Sequence, residues 1–352
     1  MNKNILRTGP EQFLELSASM PVIDVRTPSE YRKGHIPNAY NLPLFTDDER
    51  AIVGTAYKQE SKLKAVFKGL DIAGPKMSGL LKEGLSRAGE KKALLVYCWR
   101  GGSRSESMAW LFSNAGISCT VLEGGYKAYR NHILSDLGRP MKMIILGGLT
   151  GSGKTAILHK LSVLGEQVID LEGLACHKGS AFGALGQSEQ PTSEHFANLL
   201  HNTIRPFDKM RRVFTEDESH NIGSVNIPDT FFDSMKKAVV IALMPDIEAR
   251  LPRLMKEYGL FKAEELLEAV GRISKKLGGE DASRAVSAIR ADDLESAIEI
   301  VLKYYDSAYR YGLSQRPERR VLFVDSPSDD PEDNVQKVIC MAEKIDSGAI
   351  AF

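Results

Sequence analysis

The sequence predicts an α/β protein of two halves, each built on a parallel sheet, with a helical region toward the C-terminus. Three observations lead there. Short β-branched runs alternate with stretches of helical period. Two of these runs end in glycine-rich loops: Tyr97-Cys98-Trp99-Arg100-Gly101-Gly102-Ser103-Arg104-Ser105 and Gly147-Gly148-Leu149-Thr150-Gly151-Ser152-Gly153-Lys154-Thr155. The second loop fits G-x-x-x-x-G-K-[ST], the P-loop pattern between a strand and a helix. A chain of 352 residues is long enough for two ordinary domains.

Pro21-Val22-Ile23-Asp24-Val25-Arg26 reads as a buried strand ending in a charged loop. Lys92 to Tyr97 and Ser118 to Leu122 read the same way. Between them, Ser105 to Ala115 has helical spacing at Met108, Leu111 and Phe112, with Gly116 as its C-cap. Strand, loop, helix, strand is a βαβ unit. Gly138 and Pro140 mark a linker at 136–141, which sets the expected domains at 1–135 and 142–352. Met143-Ile144-Ile145-Leu146 then feeds the P-loop, and a helix follows from Lys154 to Leu164. Further strands are expected at Gln167 to Ile169, Arg212 to Phe214, Ala238 to Leu243 and Val321 to Val324. Ile247 to Leu313 is largely helical by period, and Asp329 to Asp333 reads as a solvated acidic loop.

Composition is that of a globular protein, 43% apolar and 26% charged. The apolar runs fall far short of the ~20 residues a membrane helix needs. Met1 to Arg7 lacks the apolar stretch of a secretory signal. The four cysteines form no C-x-x-C pair, which argues against a structural zinc site or a disulfide framework. A reduced, cytoplasmic protein is expected, with no membrane and no disulfide-linked partner. The overall charge of zero hides a split. Residues 1–140 hold 20 Lys and Arg against 14 Asp and Glu, and residues 141–352 hold 26 against 32. A nucleic-acid partner would therefore use a local basic patch.

In the first glycine-rich loop, backbone N–H groups at Gly101, Gly102 and Ser103 converge on one point. The following helix N-terminus adds positive potential. Arg100 and Arg104 reinforce it. Such surroundings suit Cys98 as a nucleophile toward sulfur, selenium or phosphorus, or as the carrier of a persulfide. Cys119, Cys176 and Cys340 lack them and read as inert. In the second loop, Gly148, Gly151, Ser152 and Gly153 let the backbone approach phosphate oxygens. Lys154 would pair with a terminal phosphate, and the Thr155 hydroxyl would hold Mg²⁺. An acid on the metal side should end another strand. Glu216, Asp217 and Glu218 (with Ser219) and the pair Asp170 and Glu172 are the candidates. No N-K-x-D motif selects a base, so the loop calls for a diphosphate and not for ATP in particular.

The chain also carries three blocks that resemble rhodanese domains. They are Asp24 to Tyr31 followed by Gly34 to Pro43, the Cys98 loop, and Leu122-Glu123-Gly124-Gly125-Tyr126-Lys127-Ala128-Tyr129. One departure matters. Cys98 to Arg104 is Cys-x5-Arg, whereas simple sulfurtransferases have Cys-x4-Arg. The longer loop is similar to that of rhodanese-fold phosphatases and arsenate reductases, and its wider cradle suits a tetrahedral oxyanion. A rhodanese-like domain followed by a P-loop NTPase-like domain resembles the tRNA 2-selenouridine synthase family. Gly54-Thr55-Ala56-Tyr57-Lys58-Gln59, the Trp99 loop, Asp170 to Gly183 and Glu216 to Gly223 match its blocks, with Lys178 standing where arginine is common. From these blocks His177 and Ser180 join the donor-binding candidates.

The resemblance implies two steps at the wobble 2-thiouridine of tRNA. Geranyl diphosphate alkylates the sulfur, and selenophosphate then supplies selenium to give 2-selenouridine. No tightly bound cofactor is implied beyond Mg²⁺. The tRNA backbone is expected near Lys127, Arg130 and Arg139, or else around Arg310, Arg316, Arg319 and Arg320. Other readings stay open: a sulfurtransferase coupled to an ATPase or kinase domain, a non-catalytic tRNA-binding scaffold, and a Cys-x5-Arg phosphatase.

Overall fold

The computed structural model describes residues 5–326 and 330–350. The chain divides into two compact units. One comprises residues 1–137 with 197–201, the other residues 138–196 with 202–352.

The first unit starts with β1 (Ile5–Thr8), α1 (Pro10–Ser17), β2 (Val22–Asp24), α2 (Pro28–Lys33) and β3 (Tyr40–Asn41). Three helices follow: α3 (Asp47–Gln59), α4 (Lys62–Ala73) and α5 (Met77–Ala88). Then come β4 (Ala93–Tyr97), α6 (Ser103–Ser113), β5 (Ser118–Leu122) and α7 (Gly125–Leu137). The five strands are parallel, in the order β1-β5-β4-β2-β3. The central strand β4 is covered on both faces and is accordingly apolar throughout. Its alternation splits the core. Leu94, Val96 and Cys98 face α6 with Met108 and Phe112, while Leu95 and Tyr97 face Phe13, Tyr126 and Tyr129.

The expected strand at 21–26 ends at Asp24 because the chain turns there to bury Arg26. The Arg26 guanidinium is fully buried, donates to both Asp24 oxygens and to Gly34 O, and lies 3.8 Å from the Tyr126 ring centroid. Burial works against its charge, but the Asp24 bonds and charge outweigh it and its pKa is raised. Thr27 and Glu30 then close a capping box on α2.

The second unit starts with β6 (Lys142–Gly148), α8 (Lys154–Val163), β7 (Gln167–Ile169), α9 (Leu171–Ala175) and α10 (Ser193–Ile204). Next are β8 (Arg212–Glu216), β9 (Asn221–Ile222), β10 (Val225–Asn226), α11 (Asp229–Lys237) and β11 (Val239–Leu243). Four helices follow: α12 (Ile247–Tyr258), α13 (Ala263–Leu277), α14 (Gly279–Arg290) and α15 (Leu294–Ser314). The unit closes with β12 (Val321–Val324) and α16 (Pro331–Asp346). The parallel sheet runs β12-β11-β6-β8-β7, and β9 and β10 form a separate hairpin. The helical stretch has its own core, with Leu266, Val270, Ile289, Ala297 and Val301 at its centre.

The acidic stretch expected as a loop is in part helical. Asp329 lies outside the described residues. Asp330 caps α16 by accepting from the Glu332 N–H at 3.0 Å, and Pro331, Glu332 and Asp333 form its first turn. Proline and carboxylates are favoured there because the first N–H groups need no proline donor and attract negative charge.

In both units a glycine-rich loop leaves the C-terminal end of a central strand, β4 in one and β6 in the other. That end of a parallel sheet is where ligands bind in open α/β folds.

Candidate functional site

Cys98 directly follows β4 and is 3% exposed. Its Sγ lies 3.2 Å from Ser105 Oγ, which in turn donates to Gly102 O at 3.0 Å. The sulfur sits at the floor of an open cleft of about 530 Å³, walled by Glu30, Lys33, Arg50, Trp99, Arg100, Gly102, Ser103 and Arg104. Arg100 is exposed at the rim. Arg104 is already engaged: its guanidinium forks onto Glu30 at 2.6 and 3.2 Å. Burial would raise the pKa of Glu30, yet the hydrogen bonds and charge of Arg104 prevail and hold it low. Arg104 therefore fixes the loop against α2. Arg50 on α3, which the sequence did not single out, joins Arg100 in facing the cleft.

The Gly124-Gly125 pair has a physical reason. The Cys98 carbonyl accepts from Tyr126 N–H at 2.8 Å, and the Trp99 carbonyl from Lys127 N–H at 3.0 Å. Gly101 (φ +67°) and Gly125 (φ +60°) meet at this crossing. A Cβ on Gly125 would lie 2.3 Å from Cys98 O and 2.4 Å from Gly101 N. Gly125→Ala is accordingly expected to destabilise this unit. Left-handed backbone alone costs a non-glycine residue ~1–2 kcal/mol, and the backbone clash adds to it. A thermal melt checks this: an unchanged midpoint would mean that the crossing tolerates a methyl group.

The P-loop forms as expected, with Gly148, Gly151 and Gly153 at positive φ and Ser152 buried. Lys154 Nζ donates to Gly148 O at 2.9 Å, and Thr155 is exposed at the start of α8. The loop borders a second open cavity of about 500 Å³. Glu172, Lys178, Ser180, Asp217, Glu218 and Ser219 line it from the β7 and β8 sides, and Arg253, Tyr258, Tyr305 and Tyr309 from the helical side.

The acids separate. Glu172 and Glu218 face Lys154 across the cradle. The pKa of Glu218 is raised well above the ordinary range, by burial first and by the neighbouring Glu172 charge second, with Lys154 opposing. Glu216 lies beneath the cradle, fully buried, and accepts from Leu171 N–H at 2.8 Å. Burial, and then Asp170, push its pKa up. Asp170 caps α9 through Gly173 N–H at 2.6 Å. His177 is buried against Gly183 and Gly223, and burial pulls its pKa down. These three support the walls without lining the cavity.

Sequence reading missed the helical side. Tyr309 accepts the Gly148 N–H at 2.7 Å and donates to Asp217 at 3.1 Å. Arg316 holds the other Asp217 oxygen at 2.6 Å. Arg250 donates to Thr150 O at 3.0 Å while paired with Asp306, and Arg253 donates to Gly151 O at 3.3 Å. Glu257 on the same helix pairs with Lys178 at the rim.

Of the residues expected to meet tRNA, Lys127 and Arg139 are exposed. Arg130 is half-buried, its Nη1 bound to Asn198 Oδ1 at 2.6 Å. Among the described residues, no helix is long and apolar enough to cross a membrane.

The family model of the tRNA 2-selenouridine synthase AAA domain matches residues 141–337, and that of the rhodanese-like domain matches residues 9–132. The chain belongs to the tRNA 2-selenouridine synthase family. A tRNA 2-selenouridine synthase of Hydrogenovibrio crunogenus is 36% identical over 85% of this chain and 90% of that protein. One of Shewanella denitrificans is 36% identical over 92% of this chain and 96% of its own length. One of Sulfurovum sp. is 35% identical over 86% and 91%. Among solved structures, the As-Sb reductase of Leishmania major is 20% identical, covering 38% of this chain and 81% of that chain at a TM-score of 0.23. Both domain models of this family member thus match, and the Cys98 loop and the P-loop each border an open cavity.

Proposed function

We propose that this protein converts wobble 2-thiouridine in tRNA to 2-selenouridine by way of S-geranyl-2-thiouridine. The observation that carries the reading is that one chain of this family holds two formed anion cradles, one floored by a cysteine and one by a P-loop lysine. Two phosphate-bearing donors account for two cradles.

In the first step the thiocarbonyl sulfur attacks C1 of geranyl diphosphate. A C–S bond forms, the C–O bond to diphosphate breaks, and the nucleobase loses its N3 proton. The P-loop stabilises the charge gathering on the departing diphosphate, as backbone N–H groups and a lysine do at such loops. Thr155, Glu172 and Glu218 offer hard oxygen donors beside Lys154 and fit Mg²⁺, which prefers such ligands. When bound there, the ion would add charge stabilisation on the diphosphate oxygens.

In the second step selenium from selenophosphate adds at C2, the C–S bond breaks and geranylthiol leaves. Water cleaves the P–Se bond and phosphate is released. Alkylation comes first because a thiolate alkylated on sulfur departs more readily than a thiocarbonyl sulfur. The Cys98 cradle, rimmed by Arg100 and Arg50, is the site that handles the selenium donor.

Mass spectrometry of nucleosides from 2-thiouridine tRNA incubated with protein, geranyl diphosphate and selenophosphate tests the sequence of steps. Both the S-geranyl and the 2-seleno nucleosides are expected. ATP turnover with persulfide on Cys98 and an unchanged tRNA would favour the sulfurtransferase reading.

For tRNA docking, Lys127 and Arg139 are the exposed cations of the expected set. Replacing both by alanine should flatten the salt dependence of tRNA affinity, by roughly 0.9 in slope for each duplex phosphate that the protein no longer neutralises. A salt series for wild type and double variant decides it. Coincident lines would move the tRNA to another surface, with Arg310 and Arg320 the next to vary.

A further inference from the structure

We propose that the apolar cavity enclosed by α12 to α15 seats the hydrocarbon chain of the diphosphate ester held on the P-loop, and selects its length; this rests on the reading of the P-loop as a diphosphate site. The cavity is walled by Phe182, Leu266, Val270, Ile289, Ala297 and Val301, and among the described residues no charged side chain lines it.

It adjoins the phosphate cradle. Thr150, Tyr258 and Tyr305 line both spaces. The two tyrosines divide them by polarity. Their hydroxyls lie toward the Ser180 side chain on the phosphate side, and Tyr305 accepts the Ala181 N–H at 2.8 Å. The Tyr258 ring, on the apolar side, packs against Phe182 with centroids 5.2 Å apart. A ligand that spans this boundary is charged at one end and apolar at the other. A nucleobase finds no donor or acceptor among the described cavity walls beyond Thr150 and these tyrosines. An alkyl or prenyl group needs none.

The cavity as it stands is about 20 Å³, room for a water-sized group. A chain of ten carbons therefore enters only as an aromatic wall moves aside. Phe182 packs in the same core as the other five walls, but it alone of the six lies outside any helix or strand. Its displacement opens the entrance, and the depth to Val270 and Val301 sets how many carbons are buried.

The test is calorimetric titration of the full chain, with Mg²⁺, by inorganic, dimethylallyl, geranyl and farnesyl diphosphate. Each buried methylene is worth ~0.8 kcal/mol, about fourfold in affinity. Opening the wall consumes part of this, so about a 100-fold gain from inorganic to geranyl diphosphate is expected. Val301→Phe should reduce that gain to a few-fold while inorganic diphosphate binds as before. Phe182→Ala, which removes bulk from the wall at some cost in core packing, should shift the preference toward the farnesyl ester. Should Val301→Phe fail to fold, Ala297→Val replaces it. A wild type indifferent to chain length overturns the proposal while leaving the diphosphate site intact, as does retention of the wild-type ladder by both variants. Absence of inorganic diphosphate binding, with Lys154→Ala making no difference, overturns the P-loop reading and this one with it.

Discussion

Cys98→Ser is expected to leave tRNA carrying S-geranyl-2-thiouridine and no 2-selenouridine, and Cys98→Ala to do the same. In the proposed reading the sulfur lies at the floor of the cleft that handles the selenium donor, and its position is fixed by β4 on one side and by Ser105 on the other. Serine keeps roughly the size and the hydrogen-bonding capacity of the side chain but loses the polarizable, nucleophilic sulfur. The cradle around it should still form, so the P-loop step proceeds and its product accumulates. The readout is the ratio of the two nucleosides after digestion of the tRNA. Full selenation by the serine variant would show that Cys98 only packs against Met108 and Phe112, as its place in the core also permits.

Lys154→Ala is expected to abolish geranylation and, with no geranylated intermediate to act on, selenation too. Removing one preorganised stabiliser of developing negative charge costs a factor of ~100–1,000. Lys154 is the cation at the turn of the P-loop, its Nζ bonded to Gly148 O. Arg253 also reaches the loop, through Gly151 O, so a residual rate above that range would point to Arg253 as a substitute cation. The discriminating measurement supplies tRNA that already carries S-geranyl-2-thiouridine. On that substrate Lys154→Ala should selenate at the wild-type rate. A variant that geranylates normally would free the P-loop for another ligand.

Local chemistry made much of this molecule readable. β4, β6, α6 and α8 follow from apolar runs, glycine turns and helical period, and the two loops between them follow from the same few residues. Motif spacing placed Cys98, Lys154 and Thr155 because their geometry is set within a short stretch of neighbouring chain. Carboxylates were harder. Asp170, Glu172, Glu216 and Glu218 look equivalent in a string, yet only Glu172 and Glu218 of the four line the cradle. Glu216 ends β8 and is buried under the loop, whereas Glu218 lies beyond the strand, where alternation no longer sets the face, and lines the cavity. Tyr309, Arg250 and Arg253, and the place of Arg316 on Asp217 where the sequence had it as an alternative tRNA contact, were out of reach for a different reason. They lie in or just beyond helices whose period fixes which face is buried, but not which of the remaining side chains meets a loop far earlier in the chain. Arg104 walls the cleft as its place in the loop suggested, but its partner Glu30 lies 74 residues away on α2 and could not be read from the loop.

The crossing of Gly101 with Gly125 means that the cysteine loop has no shape of its own. Its carbonyls are tied down by N–H groups at the start of α7, and its tightest turn is possible only because α7 begins with no side chain. The nucleophile loop and the head of that helix therefore form one inherited part in two pieces. A change in the length of either piece forces a matching change in the other, which limits how a cradle of this kind can drift from one anion to another.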